Sequence, residues 1–175
     1  MDYYKKRLFI AQVNEHDEIV GEVERWEAHE KGILHRGFTV ALKYQDAYVC
    51  QLRKHPVFDG VIDLSASSHP LYEDGKLQDI NEAIAMTLDR EWGMAGNYSD
   101  PRFAGKVMYS SFDGTYTEHE ICHFYVCDVT ALPAVQTEFA YGFGVFTLKD
   151  LTALKKPFLK GVAPWVTEYL KSGSL

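Results

Sequence analysis

The sequence predicts an α+β protein: a mixed sheet in a sandwich with one long helix and a closing helix, entered through an N-terminal β-hairpin. Three observations predict it. Short apolar runs separated by polar turns recur along the chain. One segment, Leu77 to Trp92, repeats Ile80, Ala83, Ile84, Leu88 and Trp92 at helical spacing and stops at Gly93. With 175 residues, 46% apolar and 25% charged, the chain is expected to form one domain, residues 1–175, with a good-sized core.

The elements follow in order. Leu8 to Val13 reads as a strand, Asn14 to Glu18 as a polar turn, and Ile19 to Val23 as the returning strand. Trp26 to Gly32 has room for no more than a helical turn, ended by Gly32. Gly37 to Leu42 and Tyr48 to Leu52 are strands joined by Lys43 to Asp46. His55 to Pro70 contains two prolines and a glycine, and reads as an ordered loop around a short strand, Val61 to Leu64. After the long helix, Phe103 to Ser111 and Tyr116 to Val126 flank Asp113-Gly114, a strong hairpin signal. Glu138 to Phe146 is a further strand, Leu148 to Leu154 a short helix and Trp165 to Lys171 the closing helix. Repeats, low-complexity segments and linkers are not apparent.

Composition narrows the function. A net charge of -7 argues against a general nucleic-acid binder, which needs a basic face, but leaves room for a basic pocket that takes a small anion. Three cysteines, Cys50, Cys122 and Cys127, are too few for a disulfide framework and suit a reducing compartment. Cys122 and Cys127 lie five apart on one expected strand, so they face opposite ways and read as buried small hydrophobes. The apolar run after Met1 to Arg7 is short for a signal segment, and no stretch approaches the roughly 20 apolar residues of a membrane span. The expectation is a cytoplasmic protein without a membrane partner.

Three stretches carry chemistry. They are Ala28-His29-Glu30-Lys31-Gly32-Ile33-Leu34-His35, Ser67-Ser68-His69-Pro70 and Glu118-His119-Glu120. His29, His35, His69, Glu118 and Glu120 would together offer three imidazoles and two carboxylates to a divalent ion. Glu118 and Glu120 are two apart on an expected strand, so both face one side, and His119 faces the other. His16, His55, His119 and His123 read as ordinary surface or core residues, and Asp17-Glu18 and Glu22 to Glu24 as a solvated face.

The helix ending Arg90-Glu91-Trp92-Gly93-Met94 stands where a Nudix box would end. Anchored on Gly93 and Met94, the four carboxylate positions of the box hold Gln78, Thr87, Arg90 and Glu91, and its glycine position holds Tyr72. The match is sharper to the type 1 isopentenyl-diphosphate isomerases, a Nudix branch that also lacks the full hydrolase box. The segment Glu27-Ala28-His29 to His35-Arg36-Gly37-Phe38, then Ser67-Ser68-His69-Pro70, Glu118-His119-Glu120 and Pro164-Trp165 resemble that family's motifs in its order, over roughly Leu8 to Leu170.

The resemblance implies a Nudix-type α/β/α sandwich and a set of roles. His29, His35, His69, Glu118 and Glu120 match the protein ligands of a manganese, magnesium or zinc ion. Glu120 also matches the carboxylate that exchanges a proton with substrate. Glu91 matches a carboxylate that helps hold magnesium on the diphosphate. Tyr109 matches a tyrosine beside the acid/base glutamate, and Trp165 an aromatic face for a carbocation-like transition state, although Trp165 on a terminal helix also reads as core. Arg25 and Arg53 lie near diphosphate-gripping positions, with Lys54 a looser match. The family's catalytic cysteine falls on Ser67, and a helix arginine that would touch diphosphate falls on Thr87. The stretch Phe58 to Leu64 also departs from the family's tryptophan-rich one.

The resulting expectation is a monomer or homodimer acting on a small-molecule diphosphate. Three functions remain open: an isomerase slowed by Ser67, a Nudix hydrolase, and a non-catalytic, metal-stabilised diphosphate-binding domain. An inert Ser67 would favour the last. Ser67 with His69 as a hydrolytic nucleophile and base is disfavoured, because no glycine-flanked strand-turn-helix surrounds the serine.

Overall fold

The chain enters its sheet through the expected hairpin: β1 (Phe9–Val13) pairs antiparallel with β2 (Ile19–Glu24). The computed structural model describes residues 3–154 and 161–173; Met1 and Asp2, part of the N-terminal segment considered above, lie outside them. A 3-10 turn, Tyr3–Lys5, precedes β1.

Helix α1 (Arg25–Lys31) is longer than the single turn expected. Its ends explain why seven residues suffice. The Glu24 side chain accepts hydrogen bonds from the backbone N–H groups of Trp26 and Glu27, and Gly32, at φ 62°, closes the helix in the left-handed region. Arg25 and His29, four apart, then share one helix face.

Strand β3 (His35–Tyr44) begins two residues before the expected Gly37, which places His35 inside the sheet. It turns through Gln45 and Asp46 into β4 (Ala47–Arg53). The loop that follows holds two short strands rather than one, β5 (Ile62–Asp63) and β6 (Ala66–Ser68). They pair with β4 and β3 respectively, and β6 pairing carries Ser67 opposite Thr39.

The long helix begins at Ile80, three residues later than expected. Leu77 belongs instead to a small hairpin, β7 (Tyr72–Glu73) with β8 (Lys76–Leu77). Asp74 and Gly75 both take positive φ there, the geometry that an Asp-Gly turn favours. Asp79 then caps α2 (Ile80–Trp92), its carboxylate accepting from the Asn81 N–H. Beyond it run β9 (Arg102–Phe112) and β10 (Thr117–Val129). Strand β11 (Ala140–Phe146) starts later than Glu138, because Phe139 and Ala140 still bond back to the Gln136 carbonyl in a turn. Helices α3 (Leu148–Ala153) and α4 (Pro164–Ser172) close the described chain.

The sheet is mixed. Its main path runs β11-β4-β3-β1-β2; β10 lies parallel to β3, and β9 pairs antiparallel with β10. Each face buries its own core. On one, Ala83, Ile84, Leu88 and Trp92 of α2 pack on Phe38, Val40, Leu42 and Cys127. On the other, Trp165, Val166 and Tyr169 of α4 pack on Ala41, Cys122, Phe124 and Val126, with Tyr169 stacked on Phe124 at 3.8 Å between ring centroids. Cys122 and Cys127 therefore do face opposite sides. Among the described residues no helix is long and apolar enough to cross a membrane.

Candidate metal centre and adjoining cleft

Four elements converge on one buried cluster. His29 comes from α1, His35 from the start of β3, His69 from the loop after β6 and Glu118 from β10; their ligand atoms all lie within 4.8 Å of one another. His29 Nε2 lies 3.1 Å from Glu118 Oε1, and His35 Nε2 lies 3.7 Å from Glu118 Oε2. The other ring nitrogen is engaged in both cases. His29 Nδ1 donates to the Arg25 carbonyl at 2.6 Å, and His35 Nδ1 to the Ile33 carbonyl at 2.8 Å. Those bonds keep a proton on Nδ1 and turn Nε2 toward Glu118, where it could bind a metal in place of a proton.

The cluster is left incomplete by protein atoms alone. His35 Nε2, His69 Nε2 and Glu118 Oε2 are shielded from solvent without a hydrogen-bond partner. Buried polar atoms are normally paired, and three orphans aimed at one point fit a divalent ion. The electrostatics of the cluster tie its members together. Burial opposes charging His29, but the Glu118 carboxylate outweighs it and lifts the imidazole to about 9. Burial, then the His35 and His29 charges, push His69 well down. Burial works against ionising Glu118 too, yet His29 and His35 hold its carboxyl well below the usual range.

Glu120 sits beside this cluster but outside the group of four. Parallel pairing sets it next to His35, and antiparallel pairing sets it opposite Tyr109. The Tyr109 hydroxyl donates to Glu120 Oε2 at 2.9 Å. The carboxylate lies over Gly37, in the volume that any Cβ there would occupy. Burial, followed by the Glu118 charge, pushes the Glu120 carboxyl up to about 8.

The residues singled out in the sequence mostly line one cleft: His29, His69, Glu118 and Glu120 with Ser67, Tyr109, Trp165, Arg25, Arg53 and Glu91. Trp165 is held from behind. Its Nε1–H donates to Asp63 Oδ1 at 2.8 Å, while Asp63 Oδ2 accepts from Arg53 at 2.7 Å and the Arg53 guanidinium lies 5.0 Å from the indole centroid. Trp165 is thus both core and cleft wall. Glu91 is buried on α2, bonded to Arg90 and Gln51, and stands apart from the four-residue cluster. Lys54 points elsewhere, its ammonium on the Thr137 carbonyl and near the Tyr141 ring.

Other cleft residues escaped the sequence reading. Cys122 lines the cleft, two residues beyond Glu120 on the same strand face. Its thiol lies 3.3 Å from Thr39 Oγ1, which also shares a 2.7 Å hydrogen bond with Ser67 Oγ. His55, read as an ordinary histidine, packs edge-on against Tyr4 in the cleft. Arg90 and Tyr3 line it too, and the Arg90 guanidinium lies 4.1 Å from the Tyr3 ring centroid.

No family model matches the sequence. Human isopentenyl-diphosphate delta-isomerase 2 is 30% identical over 128 residues, 63% of this chain and 56% of that protein, so the match spans little more than half of that relative. Among solved structures, DR0079 from Deinococcus radiodurans superposes with a TM-score of 0.69 at 20% identity, over 94% of this chain and 98% of that one. A MutT Nudix hydrolase from Burkholderia pseudomallei gives 0.59 at 18% identity, over 79% and 96%. The Nudix domain of NrtR from Shewanella oneidensis, solved with ADP-ribose, gives 0.53 at 13%, over 80% and 84%.

Proposed function

For a chain that has the Nudix fold and resembles an isopentenyl-diphosphate isomerase, we propose a metal-dependent 1,3-proton shift that interconverts isopentenyl and dimethylallyl diphosphate. One observation carries the proposal. Glu120, held by the Tyr109 hydroxyl, shares a cleft with Ser67, Trp165 and the histidine cluster. The hydrolase box would place carboxylates at positions 78, 87 and 90, which hold Gln78, Thr87 and Arg90. An allylic shift needs a carboxyl placed to pass a proton to substrate, and Glu120, fixed by the Tyr109 hydroxyl, is so placed.

His29, His35, His69 and Glu118, with Glu120 beside them, would hold manganese, magnesium or zinc; imidazole and carboxylate donors suit all three. Such an ion would supply positive charge that stabilises the carboxylate form of Glu120. Arg25 and Arg53 would grip the diphosphate, and Glu91 would face the magnesium that accompanies it.

In the forward direction Glu120 gives its proton to the terminal alkene carbon. Positive charge develops at the tertiary carbon, where the Trp165 indole, fixed by Asp63, offers a π-face. A proton then leaves the carbon next to the CH2–O group toward the Ser67 side. The proton gained equals the proton lost, so the substrate keeps its formula. Ser67 is the slow point. A thiol near pKa 8.5 trades protons at neutral pH, whereas an alcohol only relays the proton onward, here to water.

The test is proton NMR of the metal-loaded protein with isopentenyl diphosphate in deuterium oxide. Deuterium entering the prenyl chain is expected, and Ser67→Cys should speed it by about tenfold or more, within the usual range for a general acid or base. Release of phosphate would identify a hydrolase instead. Binding without exchange, in both the parent and Ser67→Cys, would leave a diphosphate-binding domain.

A further inference from the structure

The resemblance leaves a gap at the diphosphate end, because Thr87 stands where a helix arginine would reach the phosphates. We propose that Arg90 fills that gap, as the third arm of a diphosphate-binding cradle with Arg25 and Arg53. The proposal rests on the diphosphate reading above and adds a binding residue that neither the family pattern nor the sequence reading contains.

Geometry supports the substitution of one arginine for another. Arg90 lies three residues beyond Thr87, on the same face of α2. Its guanidinium folds back over Thr87, with Nη2 3.4 Å from Thr87 Oγ1, 3.5 Å from Ser68 Oγ and 2.8 Å from Glu91 Oε1. The long arm therefore occupies the space beside position 87, facing the loop that carries Ser67 to His69.

Hydrogen-bonding capacity supports it independently. Arg25 Nε, Arg53 Nε and Arg90 Nε are all shielded from solvent and without an acceptor. Arg25 and Arg53 are only 5% and 4% exposed, so water does not stand in for the missing partner. Arg25 Nη2 reaches backbone carbonyls of Tyr3, Tyr4 and Lys6 only at 3.4 to 3.5 Å, a weak set. Three guanidiniums that line one cleft, each with an unpaired Nε–H even though Arg53 also holds Asp63 and Arg90 also holds Glu91, suit a multiply charged oxyanion. A diphosphate has oxygens enough to meet all three. Meanwhile the Tyr3 ring lies against both Arg90 and Arg25, at 4.1 and 5.1 Å from their guanidinium carbons, covering the donors with a π-face.

The experiment is calorimetric titration of the metal-loaded full chain with inorganic pyrophosphate and magnesium. Arg90→Gln is expected to weaken binding ~10- to 100-fold, the loss of charge-assisted hydrogen bonds. Arg90→Lys keeps the charge but not the fork and should lose several-fold. Wild-type affinity in an Arg90→Gln protein that melts normally would overturn the proposal. If Arg90→Gln does not fold, Arg90→Lys decides, and wild-type affinity there overturns it as well. Arg25→Gln separates the two readings. A loss with Arg25→Gln but none at Arg90 removes only the third arm, whereas absence of pyrophosphate binding by the wild type removes the diphosphate reading with it.

Discussion

Gly37 shows how narrowly a single residue can set this site. It follows His35 on β3, and the Glu120 carboxylate fills the volume above its Cα. Any side chain there must evict the one carboxyl in the cleft with a pKa pushed up to about 8. Gly37→Ala should therefore lower prenyl exchange by about a hundredfold or more, the scale of a lost general acid, while the four-residue cluster next to it still takes up metal. Metal content by elemental analysis and deuterium exchange by NMR measure the two separately. Normal exchange in Gly37→Ala would mean that Glu120 does not work from this position. The glycine was visible in the sequence as part of His35-Arg36-Gly37-Phe38, but its purpose was not, because the carboxylate it accommodates comes from a strand more than eighty positions away. The histidines were easier to read, since ligand type and order are local properties. Cys122 and Arg90 could have been read too. One is two strand positions from Glu120 and the other three helix positions from Thr87, so periodicity alone would have put each on the working face.

At the scale of elements, the β1–β2 turn is tied to the sheet by one carboxylate. Asp17 accepts from Arg36 Nε of β3 at 2.8 Å, from Lys106 of β9 at 2.7 Å and from His123 of β10 at 2.7 Å, and its carbonyl accepts from Arg36 Nη2. Read from sequence, Asp17-Glu18 was a solvated face and His123 an ordinary residue. Tertiary placement made them a clasp, which local pattern cannot show. Burial works against the Asp17 charge, but Lys106, His123 and Arg36 outweigh it and hold the carboxyl below its ordinary value. A depressed folded pKa adds stability that is fully present above the unfolded value, about 3.9, and is lost as pH falls through the folded one. Asp17→Asn keeps a residue that tolerates the observed φ of 65°. It should cost roughly 1–2 kcal/mol at pH 5 to 7, with the gap to wild type closing as the pH drops below the carboxylate range. Urea melts across that range would check it, and a gap independent of pH would mean the clasp is not ionic. The same limit explains the misplaced start of α2. Helical periodicity from Leu77 was real, but the Asp74-Gly75 turn drew Leu77 into a strand pair, and Asp79 supplied the stronger start signal.

For the molecule as a whole, the ligand cluster is where distant parts of the chain meet. Helix α1, the head of β3, the loop after β6 and the head of β10 contribute one residue each. Parallel pairing of β10 with β3 begins at Glu120 beside His35, at the cluster itself. This junction brings together a His29 imidazole pushed up, a His69 imidazole pushed down and three buried polar atoms without a hydrogen-bond partner. An ion that binds only the folded chain stabilises it by mass action, by about 4 kcal/mol at a thousandfold excess over its Kd. For a chain of this length that is roughly 10 °C in Tm. Manganese, magnesium or zinc added to chelator-treated protein should raise the Tm by that order, and chelator should reverse it. His69→Ala and Glu118→Ala should each abolish the metal-dependent gain and leave little bound metal. If the Tm is indifferent to all three ions, or if both variants keep their metal, the four residues are a buried polar cluster and not a metal centre. If instead the gain appears and vanishes with these ligands, the junction of four elements is closed by metal, and the fold and the proposed chemistry depend on the same atoms.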